Sequence, residues 1–433
     1  MNRKVFVSVL GTGFYTSCNY RKDDFVSSDT RFVQQATLEY LNATYWKETD
    51  VVIFLLTDGA KKNNWNASIV SRKNVKTGEE EIYYGLQTVL KNMHLPCHIQ
   101  ELHIPDGRTE TEMWEIFNIL FDTLRENDEL YVDLTHSFRY LPMLVLVLEN
   151  YAKFLKNIEV LHISYGNYES RDIEKNEAPI VDLLPLSTLQ DWTFAAANFI
   201  RNGDVDRLSE LCKKSLHPLL KDAEIRKNNP DLNILKNYVD SLQKVIQDMK
   251  GCRGIHILEG DNIMRFLEYS QQLGDVIIQP MNPILKKMKD SFSGFVPSSD
   301  VKNGYLAAKW CFEHQMYQQA LTILHENIIS HVCELQHLDC KEETERELAK
   351  YALKISINNI GEELWKVDTE EKKERIKALL QQELVAKLAS TFMVTTNLRN
   401  DYNHAGMRSN PVKFDTLVKE LGKRIDKAYE MCK

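Results

Sequence analysis

The sequence predicts an α/β domain followed by an all-helical region, and three observations support this fold class. Apolar, β-branched segments alternate with helix-like segments through the first third of the chain. Their near-continuous hydrophobicity is typical of parallel strands covered by helices on both faces, which predicts a doubly wound sheet. From Thr193 onward apolar residues recur at three- and four-residue spacing, which predicts helices to the end of the chain.

The individual elements follow from the same patterns. The predicted strands are Lys4–Leu10, Asp50–Thr57, His98–Ile104, Glu129–Thr135 and Ile158–Gly166. The predicted helices between them are Asp29–Thr44, Gly85–Met93, Thr109–Leu124 and Leu141–Leu155. In the helical region, glycine, proline and serine at Gly251–Gly260 and Ser291–Asp300 predict loops or subdomain breaks.

Composition narrows the class of protein. A chain of 433 residues predicts two or three domains. The net charge of −8 argues against a nonspecific nucleic-acid coat protein, although it does not exclude a local RNA or nucleotide site. Eight cysteines without a CxxC pair favour a reducing compartment. The first apolar run predicts a buried strand rather than a signal peptide, and we expect a cytoplasmic protein without a membrane segment.

Polar loops follow three of the predicted strands. Gly11 and Gly13 in LGTGFY permit a tight turn and close approach of the backbone to a ligand. Thr57 and Asp58 precede KKNNW, which is interpreted as a solvated segment. In DLTHSFRYLP (133–142), hydroxyl groups, an imidazole, a guanidinium and helix-start amides suit an anion or a nucleotide. Because doubly wound sheets bind ligands at the carboxyl ends of their strands, we expect a ligand site there.

The first and third of these loops resemble those of CARF domains, the Rossmann-like sensors of cyclic oligoadenylate in type III CRISPR systems. The pattern D-x-T-H-[GS]-x-R-x-x-P is the more specific feature, and Ser137 stands where the family usually has glycine. The resemblance implies a ligand that lies across a twofold-related pair of such domains, which suits a homodimer. Cyclic tetra-adenylate is the expected activator, and no cofactor is expected. The ligand-binding residues that the resemblance implies are Thr12, Gly13, Tyr15, Thr57, Asp58, Thr135, His136, Ser137 and Arg139.

A second motif, RNDYNHAG (399–406), stands near the end of the chain. RNA cleavage without a metal needs a base, an acid and positive charge on the phosphate, which histidine and arginine supply. Five residues of regular helix place Arg399 and His404 roughly 140° apart around the axis. Either the helix loosens before His404, which Gly406 favours, or a second copy of the motif completes the site.

The spacing of histidine and cysteine residues does not predict a metal site. Cys333 and His337 are four residues apart and could share one helix face as zinc ligands. No second pair has a similar spacing, so helix packing and surface positions are the preferred interpretation. No metal is expected.

With the CARF-like loops ahead of it, the second motif resembles the catalytic signature of CARF–HEPN ribonucleases. The signature is R-x(4–6)-H with a polar residue after the arginine, and Asn400 matches that position. The resemblance implies an α/β Rossmann-like CARF domain (1–184), a helical connector (185–300) and an all-α HEPN domain (301–433). Arg399, His404 and Asn400 would be catalytic.

The implied function is that of a metal-independent endoribonuclease. Cyclic oligoadenylate would activate it, single-stranded RNA would be its substrate, and a 2′,3′-cyclic phosphate would be its product. Two alternatives stay open. One is a catalytically inactive sensor that binds a partner or nucleic acid, and the other is a ring nuclease that degrades its own activator.

Overall fold

The computed structural model describes residues 2–66, 70–73, 80–136, 140–273 and 281–432. The chain forms two compact units, residues 1–188 and 189–433. Within the described ranges, no helix is both long enough and apolar enough to cross a membrane.

The first unit contains a mixed eight-stranded sheet and a separate two-stranded hairpin. The strands are β1 (Lys4–Leu10), β2 (Asn19–Lys22), β3 (Phe25–Val26), β4 (Val51–Leu56), β5 (Val70–Lys73), β6 (Glu80–Tyr83), β7 (His98–His103), β8 (Glu129–Asp133), β9 (Glu159–Gly166) and β10 (Glu177–Asp182). The sheet order is β3-β2-β10-β9-β8-β1-β4-β7, and β5 pairs with β6 in the hairpin. All five predicted strands are present.

The prediction of a parallel sheet holds for the five predicted strands but not for the whole sheet. Strands β9, β8, β1, β4 and β7 run parallel, whereas β10 pairs antiparallel to β9. The connection from β9 to β10 is too short for a crossover helix, so the chain must turn back beside the strand it has just left. Strands β2, β3 and β10 are short and partly polar, which explains why hydrophobic patterning alone did not predict them.

Two apolar cores cover the two faces of this sheet. The helices of the first unit are α1 (Val33–Tyr40), α2 (Asp58–Ala60), α3 (Leu86–Asn92), α4 (Glu110–Thr123) and α5 (Leu141–Lys156). Alternate residues of β1 and β4 point into a core shared with α4 and α5 and into a core shared with α1 and α3. Burial on both faces explains the continuous hydrophobicity of these strands.

Two predicted boundaries in the first unit were wrong. The segment after β4 was interpreted as a solvated turn, but it forms α2 followed by a π-helical turn, Lys61–Trp65. Trp65 and Asn64 are buried there, so the KKNNW segment is only partly a surface feature. The helix predicted over 29–44 begins at Val33, because Thr30 is bridged in extended conformation to Cys18.

The second unit is helical throughout its described residues. Its helices are α6 (Leu184–Asn202), which begins in the first unit, α7 (Asp206–Lys221), α8 (Ala223–Asn228), α9 (Asp231–Lys250), α10 (Gly254–Glu259), α11 (Asp261–Gln272), α12 (Asn282–Asp290), α13 (Val301–Glu313), α14 (Tyr317–Glu334), α15 (Glu343–Asn358), α16 (Glu370–Leu380), α17 (Glu383–Asn403) and α18 (Phe414–Glu430). The break predicted over 251–260 is wrong in part, because it contains α10.

One continuous apolar core runs through this unit and includes Trp192, Phe266, Trp310 and Phe392. The predicted division at residue 300 into a connector and a HEPN domain stays a prediction. Residues on both sides of that boundary share the core.

Candidate functional sites

The carboxyl ends of β1, β4 and β8 lie side by side in the sheet. Leu10 is in register with Leu56, and Ser8 is in register with Asp133. The three polar loops predicted to form a ligand site therefore leave the same edge of the sheet, where doubly wound folds bind ligands. Ser137 and Arg139 of the third loop lie outside the described residues.

A buried asparagine fastens the glycine loop after β1. Asn64, in the π-helical turn, donates both hydrogen bonds through Nδ2, to the carbonyl of Gly11 at 2.8 Å and to that of Gly13 at 2.7 Å. The neighbouring Asn63 donates to the carbonyl of Thr12 at 3.1 Å. Sequence reasoning missed Asn64, because an asparagine in a lysine-rich segment has the pattern of a surface residue. The loop is thus held by the segment that follows β4.

Tyr15 and His136 bring the first and third loops together. Their rings stack with centroids 3.9 Å apart and an interplanar angle of 18°. Gly11 permits this contact, because a Cβ there would lie 2.7 Å from Tyr15 Oη. Burial lowers the pKa of His136 to about 4, so its imidazole is neutral at physiological pH. His136 Nε2 is buried and has no hydrogen-bond partner among the described residues, which leaves one polar atom unsatisfied.

Asp133 organises the start of the third loop. Its buried carboxylate accepts from Ser8 Oγ at 2.7 Å and from Thr135 Oγ1 at 2.5 Å. Burial raises the pKa of Asp133, whereas the hydrogen bonds from Thr135 and Ser8 oppose that rise. Thr135 Oγ1 also accepts from the backbone N–H of Gly166 at 2.8 Å. The Thr135 hydroxyl therefore already donates to one structural partner, Asp133, and accepts from another, Gly166.

The two predicted ligand residues after β4 differ in their accessibility. Thr57 is buried, and its side chain caps α2 by accepting from the N–H of Ala60 at 3.2 Å. Asp58 is almost fully exposed, and its carboxylate lies 3.6 Å from His103 Nδ1. Thr12 and Gly13 are exposed. Three of these four positions are thus open to a ligand from solvent.

The second candidate site lies at the carboxyl end of α17. The helix runs to Asn403, and His404 is its capping residue, with its side chain exposed. Ala405 and Gly406 both have positive φ, 54° and 67°, and the N–H of Gly406 donates to the carbonyl of Asp401 at 2.9 Å. The regular helix therefore ends at Asn403, and His404 is the first residue after it.

Arg399 turns inward from the same helix end. Its Nη1 lies 3.3 Å from His325 Nδ1 and 3.8 Å from Glu326 Oε1, both on α14. Asn400, the next residue, is exposed. Among the described residues, Arg399 and His404 make no hydrogen bond to each other. The chain by itself therefore presents the two predicted catalytic side chains in different environments.

Glu326 joins this inward cluster to α15. Arg346 Nη2 lies 2.7 Å from Glu326 Oε2, and His325 Nδ1 lies 3.0 Å from Glu326 Oε1. Burial opposes ionisation, but His325 and Arg346 lower the pKa of Glu326 to about 2. Nothing in the local sequence around His325 indicates its contact with Arg399. In the part of the chain that the structure describes, no three His, Cys, Asp or Glu side chains are grouped to hold a metal ion.

Two comparisons with known proteins found similarities to this chain. Residues 5–169 match the family model of the CARF domain of the CRISPR system endoribonuclease Csx1. The chain is also 27% identical over 237 residues to the CRISPR-associated protein MJ1674 of Methanocaldococcus jannaschii. That alignment covers 54% of this chain but only 34% of the relative, so the chain matches about a third of the length of that protein. Residues 5–169 of the first unit thus form a CARF domain.

Proposed function

We propose that this protein is a cyclic-oligoadenylate-activated, metal-independent single-strand endoribonuclease of type III CRISPR defence. The observation that carries the proposal is the combination of a match to the Csx1 CARF domain with an R-x4-H motif at the carboxyl end of α17 in the second unit. The match to a CRISPR-associated relative supports the defence role.

The proposed activator is cyclic tetra-adenylate, bound at the carboxyl ends of β1, β4 and β8. The exposed Thr12, Gly13 and Asp58 line the accessible side of this edge. His136 would contact the ligand as a neutral hydrogen-bonding group rather than as a cation, because its pKa is lowered to about 4 by burial. Positive charge for the phosphates would then come from another residue, and Arg139 is the nearest arginine in sequence.

An exposed apolar stripe on α5 supports the proposed homodimer. Met143, Val147, Tyr151 and Phe154 are exposed at spacings of four, four and three residues, so they share one face of the helix. Phe154 is 86% exposed. The opposite face of α5 is buried against the sheet. A contiguous apolar face on an otherwise well-packed helix is typical of a protein–protein contact, and a second copy of the chain would present the same face.

The proposed chemistry assigns one role to each catalytic residue. His404 would take the proton from the 2′-hydroxyl or protonate the leaving 5′-oxygen. Arg399 would stabilise the charge that develops on the phosphate, and the exposed Asn400 would orient RNA beside it. In the dimer, the second copy of the motif would supply the other histidine, so that one acts as base and one as acid.

The test is cleavage of a fluorescent single-stranded RNA in the presence of EDTA, with cyclic tri-, tetra- and hexa-adenylate compared at equal concentration. We expect cyclic tetra-adenylate to stimulate cleavage, and His404→Ala to lower the rate about 100-fold or more. Full activity of His404→Ala would overturn the mechanism. Ligand binding without cleavage would favour the inactive sensor, and conversion of the activator to a linear product would reveal a ring nuclease.

A further inference from the structure

A polar cluster on α14 lies behind Arg399, and the proposed chemistry leaves it without a role. His325 is 3% exposed, and its ring stacks on Phe392 of α17 with centroids 4.8 Å apart. Its Nδ1 faces Arg399 Nη1 at 3.3 Å and Glu326 Oε1 at 3.0 Å. Arg399 Nε is also buried, without a hydrogen-bond partner among the described residues. The guanidinium is therefore bound at its inner edge by α14.

One nitrogen cannot satisfy both of its neighbours. An ionised carboxylate only accepts hydrogen bonds, and a guanidinium only donates them. With a proton on Nδ1, His325 donates to Glu326, and Arg399 is attracted to the carboxylate at 3.8 Å. With a lone pair on Nδ1, His325 accepts from Arg399 directly. Either tautomer therefore constrains the guanidinium, but through a different partner.

Hydrogen bonds from Arg346 hold Glu326 in place for this contact. Arg346 donates to Glu326 through Nη2, to the carboxylate at 2.7 Å and to the backbone carbonyl at 3.2 Å. Arg346 Nη1 is anchored in turn by Ser330 Oγ at 2.8 Å and by the carbonyl of Cys340 at 3.1 Å. These hydrogen bonds hold the Glu326 carboxylate independently of Arg399. Supporting hydrogen bonds of this kind keep a functional side chain in one orientation.

We propose that His325 and Glu326 are positioning residues for Arg399. This inference rests on the proposed function, in which the Arg399 guanidinium meets the scissile phosphate. Through Nδ1 and Oε1 they fix the inner edge of the guanidinium, and its outer edge is left for the phosphate. Loss of this support would lower the rate of the chemical step rather than RNA binding, because the charge of Arg399 persists while its placement is lost.

Two substitutions of His325 separate positioning from packing. His325→Asn keeps a nitrogen near the place of Nδ1 but loses the ring that stacks on Phe392. His325→Phe keeps a ring but has no nitrogen. We expect His325→Phe to lower kcat on the order of 10–100-fold with KM within about twofold, and His325→Asn to stay within about fivefold of the wild type. The reverse order of the two variants, or no loss in either, would overturn the proposal.

Glu326→Gln supplies the second test, with Glu345→Gln as its control. Glu345 forms a comparable ion pair with Arg375 at 2.7 Å on α15 and α16 and has no contact with Arg399. Glu326→Gln should lower kcat on the order of 10-fold or more, whereas Glu345→Gln should leave kcat unchanged. Equal losses in the two variants would show that general destabilisation of the helical unit, and not positioning, causes the effect.

A readout independent of activity separates this inference from the proposed function. The Nε–H resonance of Arg399, identified by its absence in Arg399→Lys, reports the surroundings of the buried guanidinium. It should shift in His325→Phe and in Glu326→Gln but not in Glu345→Gln. If the wild type cleaves no RNA, the proposed function fails, and an unmoved resonance in His325→Phe would separately refute positioning.

Discussion

At the scale of single residues, buried polar groups connect the candidate ligand site to the fold. Asn64 holds the carbonyls of Gly11 and Gly13, and Asp133 holds the hydroxyls of Ser8 and Thr135. A buried donor or acceptor is costly when it loses its partner. Asn64 and Asp133 therefore influence the shape of the candidate ligand site through the loops that they hold.

Two substitutions test whether the hydrogen bonds from Asn64 hold the glycine loop. Asn64→Asp removes the donor and places a carboxylate against two carbonyl oxygens, so it should destabilise the chain by on the order of 1–3 kcal/mol and weaken binding of the proposed activator, cyclic tetra-adenylate. Asn63→Asp changes the same residue type at an exposed neighbour and should have much smaller effects. Urea unfolding and calorimetric titration would measure both. Equal effects of the two variants would contradict the role of Asn64 in holding the glycine loop.

Two buried histidines predict a pH dependence of stability. Burial lowers the pKa of His136 and of His162 to about 4. Between about pH 6.5 and pH 4 the unfolded chain binds protons that the folded chain does not, so stability is full above pH 6.5 and falls as the pH decreases to 4. The urea midpoint should fall over this range, and His162→Gln should reduce the fall. An identical pH slope in wild type and His162→Gln would contradict the assignment.

At the scale of elements, the turn that ends α17 determines the position and the exposure of the His404 side chain. The helix stops there because Ala405 and Gly406 adopt left-handed backbone conformations, and the resulting turn returns a hydrogen bond to Asp401. The Asp401 carboxylate is buried, and Val412 N–H donates to it at 3.3 Å. His404 is thus exposed on a fixed turn rather than on a frayed end.

The same turn predicts opposite effects at adjacent positions. The Cβ that Gly406→Ala adds would make an ordinary van der Waals contact with Pro411 Cβ at 3.5 Å, so the cost is the left-handed φ alone, about 1–2 kcal/mol. Ala405→Gly relieves the same strain at φ 54° and should not destabilise the chain. Thermal unfolding of the two variants would measure the difference. A more stable Gly406→Ala would show that the turn differs in solution.

At the scale of the whole molecule, the proposed function depends on assembly. The twofold symmetry of the proposed ligand and the separate environments of Arg399 and His404 both favour two chains acting together. The exposed stripe on α5 is the surface that would bring the CARF domains together in the proposed dimer.

Phe154→Asp should therefore convert the dimer into a monomer in sedimentation velocity experiments and abolish ligand-stimulated RNA cleavage. Burial of a carboxylate in an apolar contact is costly, which gives the physical reason. Ile173→Asp is the matched control, because Ile173 is 83% exposed and lies outside the stripe. A monomeric wild type at all concentrations, or a dimeric Phe154→Asp, would contradict the proposed interface.

The local sequence predicted much of the fold. All five predicted strands are present, and in the central ones burial on both faces explains the unbroken apolar run, as in Val51–Leu56. The helical period likewise predicted the second unit. The strands β2, β3 and β10 at one side of the sheet were missed. Asn19–Lys22, for example, is polar and is held by pairing with β10 rather than by its own propensity.

The sequence by itself determined the chemical types at the two sites: the glycine loop, the DLTH strand end and the R-x4-H helix end. Only the tertiary structure decided their partners. It buried Asn64 under the glycine loop, stacked Tyr15 on His136, and turned Arg399 toward a histidine 74 residues earlier in the chain. The physical reason is that hydrogen bonding and burial depend on which distant segments pack together, and no local pattern records that.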